Sequence, residues 1–274
     1  MLEIGINTNN ECGKDYEEVC DNIKKAKIPN VMIAFKVGKE ESQIKYALSL
    51  GLKIPYVHLN VEYPNNLWVK GPMHDKWIES ICKEIELCSK YNIPIAIYHV
   101  TEGNPNCKVI STSEFALNSF LSLAKYANGL GVKLALENLD NNSTEHFRFL
   151  LDNVKMDNVG FCYDVGHHNL YAKDLDLLEL YGNRLMAVHL HDNLGDYQLG
   201  DDYTRDLHYI PFDGNVDYDR VISGLKKANY KSVIMLELHK TSRGLPRLYE
   251  NMSNLEYLKK CKQTAEKIRN LIEK

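Results

Sequence analysis

Eight short apolar runs recur along the chain, and each is followed by a longer stretch with apolar residues at every third or fourth position. The runs are rich in Val, Ile and Leu and are apolar almost throughout, which is typical of parallel strands buried on both faces. They occupy residues 2–7, 30–35, 53–59, 93–100, 132–138, 158–164, 184–192 and 232–239.

The stretches between the runs predict amphipathic helices. Apolar side chains there line up as helical stripes: Met73, Trp77, Ile81, Ile85 and Cys88; Leu117, Leu121 and Ala124; and Leu255, Leu258, Ala265, Ile268 and Ile272. Gly51 and Gly131 stand just before the third and fifth runs, where a helix would end.

Alternating strands and helices predict an α/β fold, and eight strands are the number that closes a (β/α)8 TIM barrel. Such a barrel takes about 250 residues, so residues 1–274 are expected to form a single domain of this type. A doubly wound open sheet is the alternative, but no GxGxxG sequence follows an early strand.

The amino-acid composition and charge disfavour several classes of protein. Hydrophobic residues make up 44% and charged residues 26%, and the net charge is −4, so no overall basic field favours nucleic acid. Neither a signal peptide nor a membrane span is expected, since no basic segment precedes an apolar stretch and no apolar run is long enough. The seven cysteines include no CxxC pair, which predicts reduced thiols and a cytoplasmic protein.

Ionisable side chains end six of the predicted strands. They are His58, His99, Glu137, Asp164, the segment from His189 to Asp192, and the segment from Glu237 to His239. Because the carboxyl ends of all the strands open on one face of a TIM barrel, these groups are expected to meet at one mouth.

Each residue also has a structural explanation when it is taken alone. His58 could be a satisfied polar group, Glu137 could pair with a lysine, and Asp164 could cap the next helix. Together, however, several carboxylates in one mouth would repel one another unless a divalent cation joins them. An oxygen-rich set with imidazole suits manganese, magnesium or cobalt, and zinc fits as well.

Four motifs as a set resemble the xylose isomerase-like TIM-barrel superfamily, and the resemblance runs through nearly the whole chain. They are "LALEN" with Glu137, "DVGH" with Asp164 and His167, "HLHD" with His189, and "IMLELH" with Glu237. This superfamily contains sugar-phosphate isomerases and epimerases, ketose 3-epimerases, inosose dehydratases and endonuclease IV. Residues 208–238 are similar to its seventh and eighth units.

The resemblance implies one divalent metal ion held by Glu137, Asp164, His189 and Glu237. It further implies that the two glutamates are the acid/base pair of a sugar, sugar-phosphate or polyol isomerase or epimerase that works through an enediolate. A dehydratase stays open, and the stretch "HDNLGDYQLGDD" lacks an arginine that many ketose 3-epimerases carry there. The superfamily often forms dimers or tetramers, so a homo-oligomer is an open expectation.

Other polar residues at the mouth are expected to contact the substrate: His58, His99, His167, His208 and Trp68. Trp68 lies in the loop after the third strand, where it could cover a sugar ring or simply anchor the loop. His167 could instead support the metal ligands, and His191 occupies a variable position of the superfamily.

Endonuclease IV, a zinc-dependent enzyme that cuts DNA at abasic sites, is the alternative within the same superfamily. Its three zinc ions would be held by three groups: His58, His99 and Glu137; Glu137, Asp164, His189 and Glu237; and His167, Asp206 and His208. Against it, "LNVEYP" after His58 lacks the expected wedge for the minor groove, and the loops lack arginine clusters for phosphates. A barrel that merely binds a ligand is disfavoured because Glu137 and Glu237 are both present.

Overall fold

The computed structural model describes residues 1–101, 109–195, 205–241 and 248–274, and it confirms the (β/α)8 barrel. Eight parallel strands alternate with helices in chain order. The strands are β1 (Ile4–Asn7), β2 (Asn30–Ala34), β3 (Lys53–His58), β4 (Ile95–Tyr98), β5 (Lys133–Glu137), β6 (Val159–Asp164), β7 (Leu185–His189) and β8 (Ile234–Leu236).

Helices surround the strands on the outside. The α-helices are α1 (Tyr16–Lys25), α2 (Glu40–Ser49), α3 (Pro72–Lys90), α4 (Val109–Gly129), α5 (Asn141–Asn153), α6 (Val165–Tyr171), α7 (Leu177–Tyr181), α8 (Tyr218–Lys227) and α9 (Asn254–Glu273). Two 3-10 turns, Pro64–Trp68 and Gly182–Arg184, precede α3 and β7. No helix in the described part of the chain has the length and apolarity that crossing a bilayer requires.

Side-chain caps mark where several helices begin. Asp15, Asp140, Asp164 and Asp217 each accept a hydrogen bond from a backbone N–H in the first turn of the helix that follows. Ser253 and Glu256 form a reciprocal capping box at the start of α9. Asp164 therefore ends β6 and caps α6 with the same carboxylate that was predicted as a ligand.

The strand order is β7-β6-β5-β4-β3-β2-β1-β8, and the barrel closes just beyond the end of β7. There Leu190 N donates to Met235 O at 2.9 Å, and Glu237 N donates to Leu190 O at 3.2 Å. The predicted run 184–192 is longer than β7, which ends at His189. Beyond the strand, Asp192 leaves the barrel and pairs antiparallel with Tyr209.

Two apolar layers hold the barrel together. The barrel interior is filled by Met32, Tyr56, Ile97, Ala135, Cys162, Ala187, Val233 and Met235. A larger layer between the strands and helices includes the predicted stripe of α3 from Trp77 to Cys88. Met73 was expected in that stripe but is 57% exposed, because it lies in the first turn of α3.

Candidate metal centre

Polar side chains from six strand ends converge on the mouth of the barrel. The group at its centre consists of Glu137, Asp164, His189 and Glu237, whose ligand atoms all lie within 4.8 Å of one another. Strand register places two of them side by side, since Asp164 on β6 pairs with His189 on β7. The set that the family resemblance implied is thus assembled in space.

His189 shows how the central group fits a cation. Its Nδ1 lies 3.2 Å from Glu137 Oε1, 3.1 Å from Glu237 Oε2 and 3.7 Å from Asp164 Oδ2. The side chain is fully buried, and neither ring nitrogen has a hydrogen-bond partner in the described part of the chain. A buried nitrogen that faces three carboxylates and makes no hydrogen bond to the described residues is suited to bind a divalent cation.

A second group adjoins the first and shares Glu137. It contains His58 and His99, with His58 Nε2 3.0 Å from both Glu137 Oε2 and His99 Nε2, and His99 Nε2 3.3 Å from Glu137 Oε2. His58 Nδ1 donates to Leu59 O at 2.8 Å, so Nε2 keeps its lone pair for an ion. Three donors would leave an open coordination position.

A third group consists of His167, His191, Asp206 and His208. Asp206 Oδ2 lies 2.8 Å from His208 Nε2 and 3.5 Å from His167 Nε2. The other ring nitrogens of these histidines donate to backbone, His208 Nδ1 to Glu237 O at 2.9 Å and His167 Nδ1 to Asn138 O at 3.1 Å. His167 and His208 therefore both turn Nε2 towards Asp206.

His191 is the member of this group that the sequence did not predict as a ligand. Its Nε2 donates to Asp164, 3.0 Å from Oδ1, and its ring stacks on His208 at 3.9 Å. Its buried Nδ1 has no hydrogen-bond partner among the residues that the structure describes. The spacing of His189 and His191 was a usable signal, because residues two apart on an extended segment face the same way. Gly166 makes room for it, since a Cβ there would lie 2.0 Å from His191 Cε1.

Asparagine side chains fix the two strand ends that carry Asp164 and Glu237. Asn138 pairs with the backbone of Asp164. On the opposite side of the mouth, Asn7 Oδ1 accepts from Leu238 N at 2.9 Å and Asn7 Nδ2 donates to Leu238 O at 3.0 Å. These amides extend the sheet pairing beyond the strands and set the neighbouring carboxylates in place, a role that the sequence analysis missed.

The carboxylates and imidazoles of the central group shift each other's pKa values. Burial would raise the pKa of Glu137, but the facing imidazoles, His189 first, hold that pKa well below its usual range. Burial would likewise lower the pKa of His189, but its acidic neighbours Cys162, Glu237 and Glu137 raise that pKa well above its usual value. The carboxylates and imidazoles thus stabilise each other's charged forms, and a cation bound among them would compete with protons for the imidazole nitrogens.

Two conspicuous residues are held in structural contacts. Trp68 is fully buried, its Nε1 donates to Val100 O at 2.7 Å, and its ring packs edge-on against His146, so it anchors its loop. Asp192 Oδ1 accepts from the backbone N–H groups of Asn193 at 2.9 Å and Val216 at 3.0 Å, so backbone amides surround that carboxylate.

The family model for the xylose isomerase-like TIM barrel matches residues 20–261. The chain belongs to this family. Among curated relatives, an uncharacterised protein of Sinorhizobium fredii is 28% identical over 178 residues, which are 60% of this chain and 55% of the relative. The inosose isomerase of Bacillus licheniformis is 26% identical over 210 residues, 73% of this chain and 71% of that enzyme.

Solved structures show the same fold. A D-tagatose 3-epimerase-like protein superposes with a TM-score of 0.77 at 20% identity and covers 99% of this chain and 98% of its own. The chain spans only about half of the first two curated relatives, 55% and 44% of their lengths.

Proposed function

We propose that this protein is a divalent-metal-dependent isomerase or epimerase of a sugar, sugar phosphate or polyol. The observation that carries the proposal is the pair of glutamates beside His189, with Glu137 3.2 Å and Glu237 3.1 Å from the same imidazole nitrogen. The two carboxylates come from β5 and β8 and therefore reach a bound substrate from different directions.

Glu137 and Glu237 act as the acid/base pair. One carboxylate removes a proton from the carbon next to the substrate carbonyl, and the other, in its protonated form, returns a proton. Return to the opposite face of the same carbon gives epimerisation, and return to the neighbouring carbon gives isomerisation. Glu137, Asp164, His189 and Glu237 would hold a divalent metal ion, which when bound would supply Lewis-acid polarisation of the carbonyl and stabilisation of the negative charge on the enediolate.

The family relatives support this substrate class. A curated relative carries the name inosose isomerase, and a structural neighbour is described as a D-tagatose 3-epimerase-like protein. His58, His99, His167 and His208 surround the central group and supply hydrogen-bond partners for hydroxyl groups. We further propose that residues 1–274 act as one domain in the cytoplasm, as a homo-oligomer.

Elemental analysis of the purified protein, followed by a panel of ketoses, ketose phosphates and inososes, tests the proposal. We expect about one manganese, cobalt or magnesium ion per chain and interconversion of at least one substrate that stops when the ion is removed. A protein that binds no ion after reconstitution would overturn the proposal.

A second candidate function is metal-dependent cleavage of DNA at abasic sites. It is favoured by the two further ligand groups, His58 with His99 and Glu137, and His167 with His191, Asp206 and His208. This function requires about three zinc ions per chain and cleavage of a duplex with one abasic site, with no turnover of the sugar panel. If the protein bound zinc in all three groups and also converted a sugar of the panel, the first proposal would stand, with a larger metal centre.

A further inference from the structure

Cys162 lies directly beneath the candidate metal centre. On β6 it stands two residues before Asp164, and in the sheet it pairs with Glu137 on β5 and with Ala187 on β7, two residues before His189. Because side chains two apart on a strand face the same way, Cys162 points into the barrel below Asp164. Its Sγ lies within 4.8 Å of a Glu137 carboxylate oxygen and a His189 ring nitrogen.

His189 needs a hydrogen-bond acceptor for the ring nitrogen that does not face the carboxylates. Its Nδ1 faces the carboxylates, so its Nε2 would carry the proton once an ion is bound. A metal-binding histidine almost always donates that proton to an acceptor, which orients the ring. Both nitrogens of His189 are buried and lack hydrogen-bond partners in the described part of the chain.

The surroundings leave few candidates for that acceptor. The interior layer around Cys162 is made of Met32, Tyr56, Ile97, Ala135, Ala187, Val233 and Met235. Tyr56 is the other residue of this layer with a hydroxyl or thiol, and its hydroxyl already donates to Val188 O at 2.9 Å. Cys162 is fully buried and forms no disulfide with another cysteine that the structure describes, so its thiol is available to His189.

We infer that Cys162 is a positioning residue for the metal ligand His189, whose Nε2–H donates to the Cys162 sulfur when Nδ1 holds the ion. This inference rests on the proposed metal dependence but not on the identity of the substrate. Cys162 itself stays outside the coordination shell, since the central group already offers four donors.

The test compares C162A and C162S with two controls, C88A and Y56F. Cys88 is a fully buried cysteine on α3 away from the mouth, so C88A controls for loss of a buried thiol, and Y56F removes the competing hydroxyl. The affinity for Mn²⁺ and Co²⁺ is measured by competition with a chelating dye, and the melting temperature is measured without metal. The visible spectrum of the Co²⁺ form reports the coordination shell.

We expect C162A to weaken ion binding by about 10–100-fold, C162S to restore part of that loss, and C88A and Y56F to bind as the wild type does. The metal-free C162A and C88A should melt at similar temperatures. A wild-type affinity in C162A, or an equal loss in C88A or Y56F, would overturn the inference. So would a cobalt–thiolate charge-transfer band that disappears in C162A, because it would make Cys162 a ligand.

These outcomes also separate this inference from the proposed function. A wild-type protein that binds no ion would overturn both. Normal ion binding that is unchanged in C162A would overturn the role of Cys162 alone, and failure of the sugar panel would leave that role standing.

Discussion

Asn138 and Asp164 exchange two hydrogen bonds across the carboxyl ends of β5 and β6. Asp164 N donates to Asn138 Oδ1 at 2.9 Å, and Asn138 Nδ2 donates to the Asp164 carbonyl oxygen at 2.8 Å. The residue directly after Glu137 thereby fixes the backbone of the next carboxylate along the sheet.

N138A should therefore weaken both the fold and the site. Leaving a buried N–H and C=O unpaired costs about 1–3 kcal/mol, and we expect a loss of that size in the free energy of unfolding measured with urea. Ion affinity should fall as well, because Asp164 is no longer held. N153A, which alters an exposed asparagine at the end of α5, is the control and should change neither quantity.

Replacing either proposed acid/base residue should stop turnover without unfolding the protein. E137Q and E237Q keep the side-chain shape but cannot accept the substrate proton, so turnover should fall by about 10²–10⁴-fold or more. Circular dichroism and the melting temperature check the fold, and E62Q, at an exposed glutamate of the loop after β3, is the control. A folded variant with full activity would remove that glutamate from the mechanism.

Gly166 should tolerate no side chain. A Cβ at this position would lie 2.0 Å from His191 Cε1, so G166A must displace the imidazole that stacks on His208. We expect a loss of about 1–3 kcal/mol in the free energy of unfolding. G129A is the matched control, because no atom lies within 4 Å of the added Cβ at the end of α4. Equal stability of the two variants would show that His191 can move freely.

Glu84 should make stability depend on pH. Burial in α3 raises its pKa from 4.5 to about 7, and Glu40 adds to the rise, while a hydrogen bond from Asn60 N at 2.9 Å and the charge of His58 lower it. The folded state therefore binds the extra proton between about pH 4.5 and 7. Its stabilising contribution is complete below that range and is lost as the pH rises through it.

The comparison of wild type with E84Q isolates this effect. At about 1.4 kcal/mol per pH unit, the free energy of unfolding of the wild type should fall relative to E84Q by at most about 3 kcal/mol between pH 4.5 and 7. Urea unfolding at several pH values measures it. Parallel curves for the two proteins would mean that Glu84 is ionised in the fold throughout the range.

The sequence predicted the barrel and placed all four residues of the central group at its mouth for the same physical reason. Parallel strands covered by helices are apolar almost throughout, so a Glu137 or Asp164 at the end of such a run stands out and must lie at the mouth. The Asn7 and Asn138 contacts could not be predicted, because an asparagine after a strand is typical of a turn. Their partners lie far away along the chain, and only the closed barrel brings them together.

The contacts of Trp68 and His191 are further features that the sequence alone does not determine. A tryptophan in a loop above the mouth can cover a ligand or anchor the loop, and only the contact with Val100 O and the packing on His146 place it in the interior. His191 gains its place from the absence of a Cβ at Gly166, which lies in the first turn of α6. The spacing of His189 and His191 indicates only that the two side chains face the same way. The contacts of Trp68 and the fit of His191 against Gly166 are not visible in local spacing.

The hydrogen bonds of Leu190 that close the barrel also hold two residues of the candidate site together. β7 and β8 are the two ends of the hydrogen-bonded strand order, and Leu190 joins them between His189 and the backbone of Glu237. Any fluctuation that breaks these hydrogen bonds also separates the side chains of His189 and Glu237. The exchange rates of the Leu190 and Glu237 amide protons should therefore report how often the barrel opens at this point and how long these two residues of the candidate site stay in place.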